Sequence, residues 1–227
     1  MLERLAEEIW SVAHDFKMMG IAIGTRTTVV RLADGGLFLH SPGPLSPALV
    51  EAVDGLGPVR AIVAPNDFHH LYVEENAAAW PAAELYVSAG LPAKRKDLAG
   101  ACVLGDTPPD LWAADLEQVW MRGAPRVNEV VFFHPRSRTL MLTDLAFNVV
   151  EPGSLGLRLF MTINGSAGRF ATSRLMRLMH RDRVAAGASA EKILAWDFDR
   201  AVVCHGEVLE SGAKTRLEAE FAWLRDS

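Results

Sequence analysis

Short apolar runs divided by turn residues dominate the first two thirds of the chain. Glu8–Ala13, Ile21–Ile23 and Thr27–Leu32 read as strands, and Gly35-Gly36 turns the chain into another at Leu37–Leu39. Ser46 and Pro47 open a helix that runs to Val53, with Gly55 and Gly57 just past its end. Val59–Ala64 is a compact apolar run halted by Pro65, the pattern of a buried strand. A short helix is predicted over Val73–Trp80 and a strand over Glu84–Val87, whereas the Pro- and Gly-punctuated stretch Gly90–Pro109 reads as surface loop. Leu116–Trp120, Glu129–Phe133 and Thr139–Thr143 read as strands, the last two joined by a tight connection at Pro135–Arg138.

The remainder is more helical. Phe170, Leu175, Leu178 and Met179 recur at roughly helical spacing and predict one helix over Arg169–Val184. Ser189 is positioned to cap a second helix that ends at Ala195, Arg200–Cys204 reads as a last buried strand, and Thr215–Leu224 as a closing amphipathic helix. This order predicts an α/β (α+β) protein whose sheets are covered by helices. With no linker, repeat or low-complexity segment, one domain over residues 1–227 is expected.

Composition narrows the function classes. Half of the 227 residues are hydrophobic and 22% are charged, as in a globular protein. A net charge of −5 gives no electrostatic reason to expect nucleic acid or an anionic membrane as partner. Cys102 and Cys204 are too few for a disulfide scaffold or a four-cysteine zinc site. No apolar run approaches the ~20 residues that span a bilayer, and the acidic start MLERLAEEIW does not read as a signal peptide, so a cytoplasmic protein is expected.

The seven histidines matter through their placement. Val59–Ala64 runs into Asn66-Asp67-Phe68-His69-His70, Glu129–Phe133 ends at His134, Thr139–Thr143 at Asp144, and Arg200–Cys204 at His205. Strand ends gathered in one or two sheets would bring these imidazoles and carboxylates together as ligands for zinc, iron or manganese. A lone histidine at a strand end is more often a hydrogen-bonded structural residue; the repetition over four strands makes the pattern informative. His40 also follows a strand and reads as a turn residue or a support behind such a centre. Cys204, by alternation along its strand, is expected to point away from His205 into the core. Arg136 and Arg138 read as a solvated turn. Arg169, Arg174, Arg177, Arg181 and Arg183 read as a polar helix face, with phosphate or nucleic-acid binding as the sharper alternative.

The segments LFLHSPGPL, IVAPNDFHHLYV, EVVFFHPRSRTLMLTDLAFN and WDFDRAVVCHGEVL resemble the metallo-β-lactamase superfamily, and more narrowly its DUF4336 branch. The resemblance implies a four-layer αββα sandwich with a metal centre at one edge, between the sheets. Laid on the superfamily's H-x-H-x-D-H loop, the first histidine position holds Pro65, which cannot ligate. The next ligand positions fall on Asp67, His69 and His70, and the later ones on His134, Asp144 and His205. The resemblance thus implies one or two divalent ions, zinc first and iron or manganese as alternatives, held by Asp67, His69, His70, His134, Asp144 and His205. It implies hydrolysis of an ester, amide or phosphoester, with Asp67 or Asp144 as the acid–base group in place of the loop aspartate that His69 replaces. A small-molecule substrate and, as an assembly to consider, a homodimer complete the expectation. The alternative class is a catalytically degenerate binding or interaction module, favoured by the Pro65 and His69 replacements.

Overall fold

A computed structural model describes residues 1–225. In chain order the first strands are β1 (Glu3–Ala6), β2 (Ile9–His14), β3 (Lys17–Met18), β4 (Ile21–Ala22), β5 (Thr25–Arg31) and β6 (Leu37–His40). Helix α1 (Pro47–Asp54), β7 (Val59–Ala64), α2 (Val73–Ala79), β8 (Glu84–Val87), α3 (Leu91–Lys94) and β9 (Cys102–Val103) follow. Then come β10 (Glu117–Trp120), β11 (Val130–His134), β12 (Thr139–Leu142) and β13 (Phe147–Asn148). The last part holds α4 (Leu155–Ile163), β14 (Phe170–Ala171), α5 (Arg174–Met179), α6 (Arg183–Ala195), β15 (Arg200–Val203), α7 (Ala213–Glu220) and α8 (Ala222–Arg225).

Two sheets carry the architecture. The first has seven strands in the order β1-β2-β5-β6-β7-β8-β9, and the second four in the order β10-β11-β12-β15. Alternation along the strands explains the layering. Val130, Phe132, Met141 and Val202 of the second sheet face Ile9, Val30, Phe38, Ala61 and Val63 of the first. Phe38, Trp112 and Phe132 meet edge to face there, with centroids 5.0 to 6.4 Å apart. The opposite face of the second sheet (Val131, Phe133, Leu140, Leu142 and Val203) packs on Ala186, Ala190 and Ile193 of α6 and on Leu217 of α7. The outer face of the first sheet (Val29, Leu37, Leu39 and Ile62) packs on Val53 of α1 and on Trp80. The result is the helix–sheet–sheet–helix sandwich expected from the sequence.

Strand direction decides what can converge. β6, β7, β8 and β9 run parallel, as do β12 and β15, and the chain leaving β6, β7, β12 and β15 meets at one edge of the sandwich. β11 is antiparallel to β12, so its start, not its end, lies at that edge.

The span Arg169–Val184 is not one helix: Phe170–Ala171 pair with Phe147–Asn148, Ser173 caps α5 through Met176 N, and α6 begins only after Asp182 accepts from Ala185 N. Ser189 therefore sits inside α6, where its hydroxyl donates to the Ala185 carbonyl. The stretch Gly90–Pro109 is not all loop, since it carries α3 and the edge strand β9. Helix α4, capped by Ser154, was not expected from the sequence; Leu157 and Met161 are buried on it, but Leu155, Leu159 and Ile163 stand exposed, so apolar residues on both faces blur its helical spacing. Among the described residues no helix is long and apolar enough to cross a membrane.

Candidate metal centre

Asn66, wholly buried, organises the loop that leaves β7. Its Oδ1 accepts from the amides of Phe68 and His69, both at 2.9 Å, which folds the loop back on itself. Its Nδ2 donates to Thr143 Oγ1 at 2.8 Å and to Asp144 Oδ2 at 2.6 Å, tying the first sheet's loop to the exit of β12. His69 is thereby set against Asp144, with Nε2 3.3 Å from Oδ2. Its Nδ1 lies 2.8 Å from Ser41 Oγ. Ser41 stands directly after β6 in a left-handed conformation (φ 55°) that aims its hydroxyl at the ring; such backbone costs about 1–3 kcal/mol and is kept where surrounding contacts demand it.

His205 completes the group. Its Nδ1 donates to the Gly24 carbonyl at 2.7 Å, its Nε2 lies 3.4 Å from Asp144 Oδ1, and its ring stacks on Phe147. The next residue must be glycine: at Gly206 (φ +99°) a Cβ would stand 2.2 Å from the Asn148 carbonyl oxygen. The three ligand-capable atoms lie within 4.8 Å of one another.

The donor set fits a divalent cation. A carbonyl oxygen can only accept, so His205 carries a proton on Nδ1 and turns Nε2 to the carboxylate. Separations of 3.3 and 3.4 Å exceed the ~2.7–2.9 Å of a charge-assisted hydrogen bond. They run to different oxygens of one carboxylate, Oδ2 toward His69 and Oδ1 toward His205, so the carboxylate faces both imidazoles across a gap that a cation with bonds of about 2.0–2.1 Å could span. Two imidazoles and a carboxylate suit zinc or iron. The electrostatics of the group favour positive charge on His69 beside the carboxylate. Burial opposes charge on His69, yet Asp144, with a smaller effect from the adjoining Cys204, holds its pKa well above the ordinary value. Burial likewise opposes the Asp144 charge, but His69 and His205 keep its carboxyl far below the usual carboxylate range.

Beneath Asp144 lies Glu129, which accepts from the amides of Thr143, Asp144 and Leu145 at 2.7, 2.9 and 2.9 Å. Burial first, and Asp144 second, push its pKa up to about 7.

The structure brings together His69, Asp144 and His205 and leaves the other three expected ligands outside. His134 pairs across from Thr139 at the hairpin turn, five residues and therefore roughly 16 Å of strand from Asp144; its Nδ1 contacts Ser137 Oγ at 2.7 Å. The expectation failed because a tight turn makes β11 and β12 antiparallel. Asp67 has both oxygens engaged, by Ser88 Oγ at 2.6 Å and by Asn128 Nδ2 at 2.8 Å. It packs so closely that a Cβ on Gly90 would stand 2.1 Å from its Oδ2. His70 approaches the site differently: its Nδ1 lies 3.0 Å from Arg95 Nη1. A guanidinium only donates, so Nδ1 accepts and the His70 proton sits on Nε2, a tautomer suited to donating rather than ligating.

Cys204 is not turned away from the site, since it adjoins His69, and its thiol approaches the Arg26 carbonyl at 3.5 Å. His40 is buried with both ring nitrogens lacking a hydrogen-bond partner among the described residues, edge-on to Phe132. Arg136 and Arg138 pair with Glu7 and Asp197 at the surface. Arg169 and Arg177 are committed to the buried Glu220. Asn66, Asn128, Glu129, Ser41 and Ser88 escaped sequence reasoning. A signal existed for Glu129, because a hairpin with its turn at Pro135 places the start of the preceding strand beside Asp144.

The triad opens into a cavity of 410 Å³. Its walls are mainly apolar, with Phe16, Ile23, Phe160, Met176 and Met179 prominent; His70 and Lys94 also line it.

The sequence pattern of DUF4336, a domain of unknown function, matches residues 6–154. No curated protein matches the chain. Among solved structures, a metallo-β-lactamase from Pontibacter korlensis is similar with a TM-score of 0.65 at 11% identity, over 100% of this chain and 99% of that one. A metallo-β-lactamase from Hirschia baltica gives 0.64 at 12%, over 99% and 96%. A metal-soaked flavodiiron core from Synechocystis gives 0.63 at 12%, over 99% of this chain and 60% of that one. At such identities the likeness shows the fold alone.

Proposed function

This chain belongs to the DUF4336 family and has the metallo-β-lactamase fold, and on that footing we propose that it is a metal-dependent hydrolase with a single-ion centre held by His69, Asp144 and His205. The observation that carries this reading is the convergence of those three side chains, each oriented from behind, on the wall of a cavity large enough for a small molecule. Zinc is the first candidate; iron suits the same ligands. A bound divalent ion would supply Lewis acidity, polarising the scissile group and making a water more acidic.

The chain's own residues supply orientation. Asn66 fixes the Asp144 carboxylate, Gly24 and Ser41 fix the two imidazoles, and such partners commonly change metal affinity 10–100-fold. His70, protonated on Nε2, is the group suited to donate to an oxygen that gains charge. Apolar walls limit bulk water around the bond that breaks. With Asp67 committed to Ser88 and Asn128, Asp144 is the one carboxylate among the described residues that line the cavity.

The same commitment of Asp67 favours a second reading, a binding module that has lost turnover. Metal titration of chelator-stripped protein, followed by elemental analysis and a panel of ester, amide and phosphoester substrates, separates the two. About one equivalent bound, with turnover lost in His205→Ala, supports the hydrolase; uptake without turnover supports the module; no uptake of zinc, iron or manganese removes the hydrolase and leaves only a module that binds without metal.

A further inference from the structure

Resting on that hydrolytic reading, we infer that the substrate is an aliphatic acyl group carried as an ester or thioester, its chain lying in the cavity beside the triad. Three features point this way. First, apolar side chains make up most of the walls, and the methionines among them, Met18, Met176 and Met179, are flexible fillers suited to an unbranched chain. Second, the apolar surface continues outward: Met18, Phe68, Leu71 and Leu175 line the cavity and are exposed, 38 to 58% accessible. Large apolar groups gathered at a mouth are a binding signature rather than ordinary surface. Third, the lining offers little to a phosphate. Among the described residues Lys94 is its one lysine or arginine, and its ammonium already donates to the Asp67 carbonyl at 2.6 Å while lying over the Phe68 ring. A phosphoryl group is ordinarily met by several donors or a bidentate arginine.

The step balances with water as the co-reactant. The hydroxyl of water adds to the acyl carbon, the bond from that carbon to the alcohol oxygen or thiol sulfur breaks, and the leaving group takes up a proton. A fatty acid and a free alcohol or thiol result, the acid releasing its proton to solvent as the carboxylate.

The test measures binding on chelator-stripped protein, so it does not depend on turnover. Straight-chain carboxylates from butanoate to dodecanoate compete with an environment-sensitive fluorescent fatty acid. Affinity is expected to rise about fourfold for each added methylene, then level off once the chain outgrows the cavity. Leu71→Asp and Leu175→Asp, both at exposed positions, are expected to weaken decanoate at least fivefold with an unchanged melting temperature. Less than a twofold change from butanoate to decanoate overturns the inference, even if short esters are hydrolysed in a metal-dependent way. A steep series that neither variant disturbs also overturns it, because the chain then binds elsewhere. A steep series sensitive to both variants in a protein that never turns over upholds the acyl-chain cavity and removes the hydrolase reading instead.

Discussion

Asn66 donates to Asp144 across the gap between the two sheets, Nδ2 to Oδ2 at 2.6 Å, while its Oδ1 holds the amides of Phe68 and His69. One amide side chain thus sets the loop that carries one ligand and the carboxylate that is another. Asn66→Ala would leave two amides without an acceptor and Asp144 and Thr143 without a donor. A loss of about 2–4 kcal/mol is expected in chemical denaturation, with metal affinity falling about 10–100-fold. An unchanged metal affinity would show that the loop holds its shape without this residue.

Glu129 makes a related prediction. Its two oxygens receive three backbone amides around Asp144. Glu129→Gln keeps the size but turns one acceptor into a donor facing a donor. A loss of about 1–3 kcal/mol is expected, measured by urea unfolding; a neutral effect would mean that the exit of β12 is held elsewhere.

His40 predicts a pH dependence. Burial first, and His69 second, lower its pKa to about 3, against about 6.5 in the unfolded chain. The folded state therefore resists a proton that the unfolded state accepts. The stability is whole above about pH 6.5 and is lost as pH falls toward 3. Between pH 7 and pH 5 the loss from this residue is about 2 kcal/mol. His40→Phe, in chelated protein, is expected to remove that part of the slope, so its stability relative to wild type rises by about that amount at pH 5. Parallel pH profiles for the two proteins would contradict the placement of His40.

His134 provides the contrast. Because it lies at the hairpin turn, His134→Gln is expected to change metal affinity less than twofold, whereas His205→Gln removes most of it. Isothermal titration with zinc compares the two; equal losses would mean that His134 reaches the centre after all.

Much of the fold was legible because its strands are apolar runs bounded by Pro and Gly, as at Val59–Ala64 before Pro65. The layering followed from alternation, seen in Val130 and Phe132 facing one way and Val131 and Phe133 the other. The Arg169–Val184 stretch misled because its apolar spacing continues through a strand, a cap at Ser173 and a break before Asp182. At the site, His69, Asp144 and His205 were visible as polar residues at strand exits, where strands share a direction. His134 met the same rule on a strand that runs the other way. Asp67 was of the right type, but its partners Ser88 and Asn128 lie 21 and 61 residues distant in sequence, and no local pattern reveals such pairings.

A single divalent ion is proposed between His69, Asp144 and His205. Its most direct test is anomalous diffraction at the metal edge from crystals of zinc- or iron-loaded protein. One peak is expected, about 2.0–2.2 Å from His69 Nε2, an Asp144 carboxylate oxygen and His205 Nε2. A peak at Asp67 or His134 instead, or none in protein that elemental analysis shows to be metal-loaded, would contradict it.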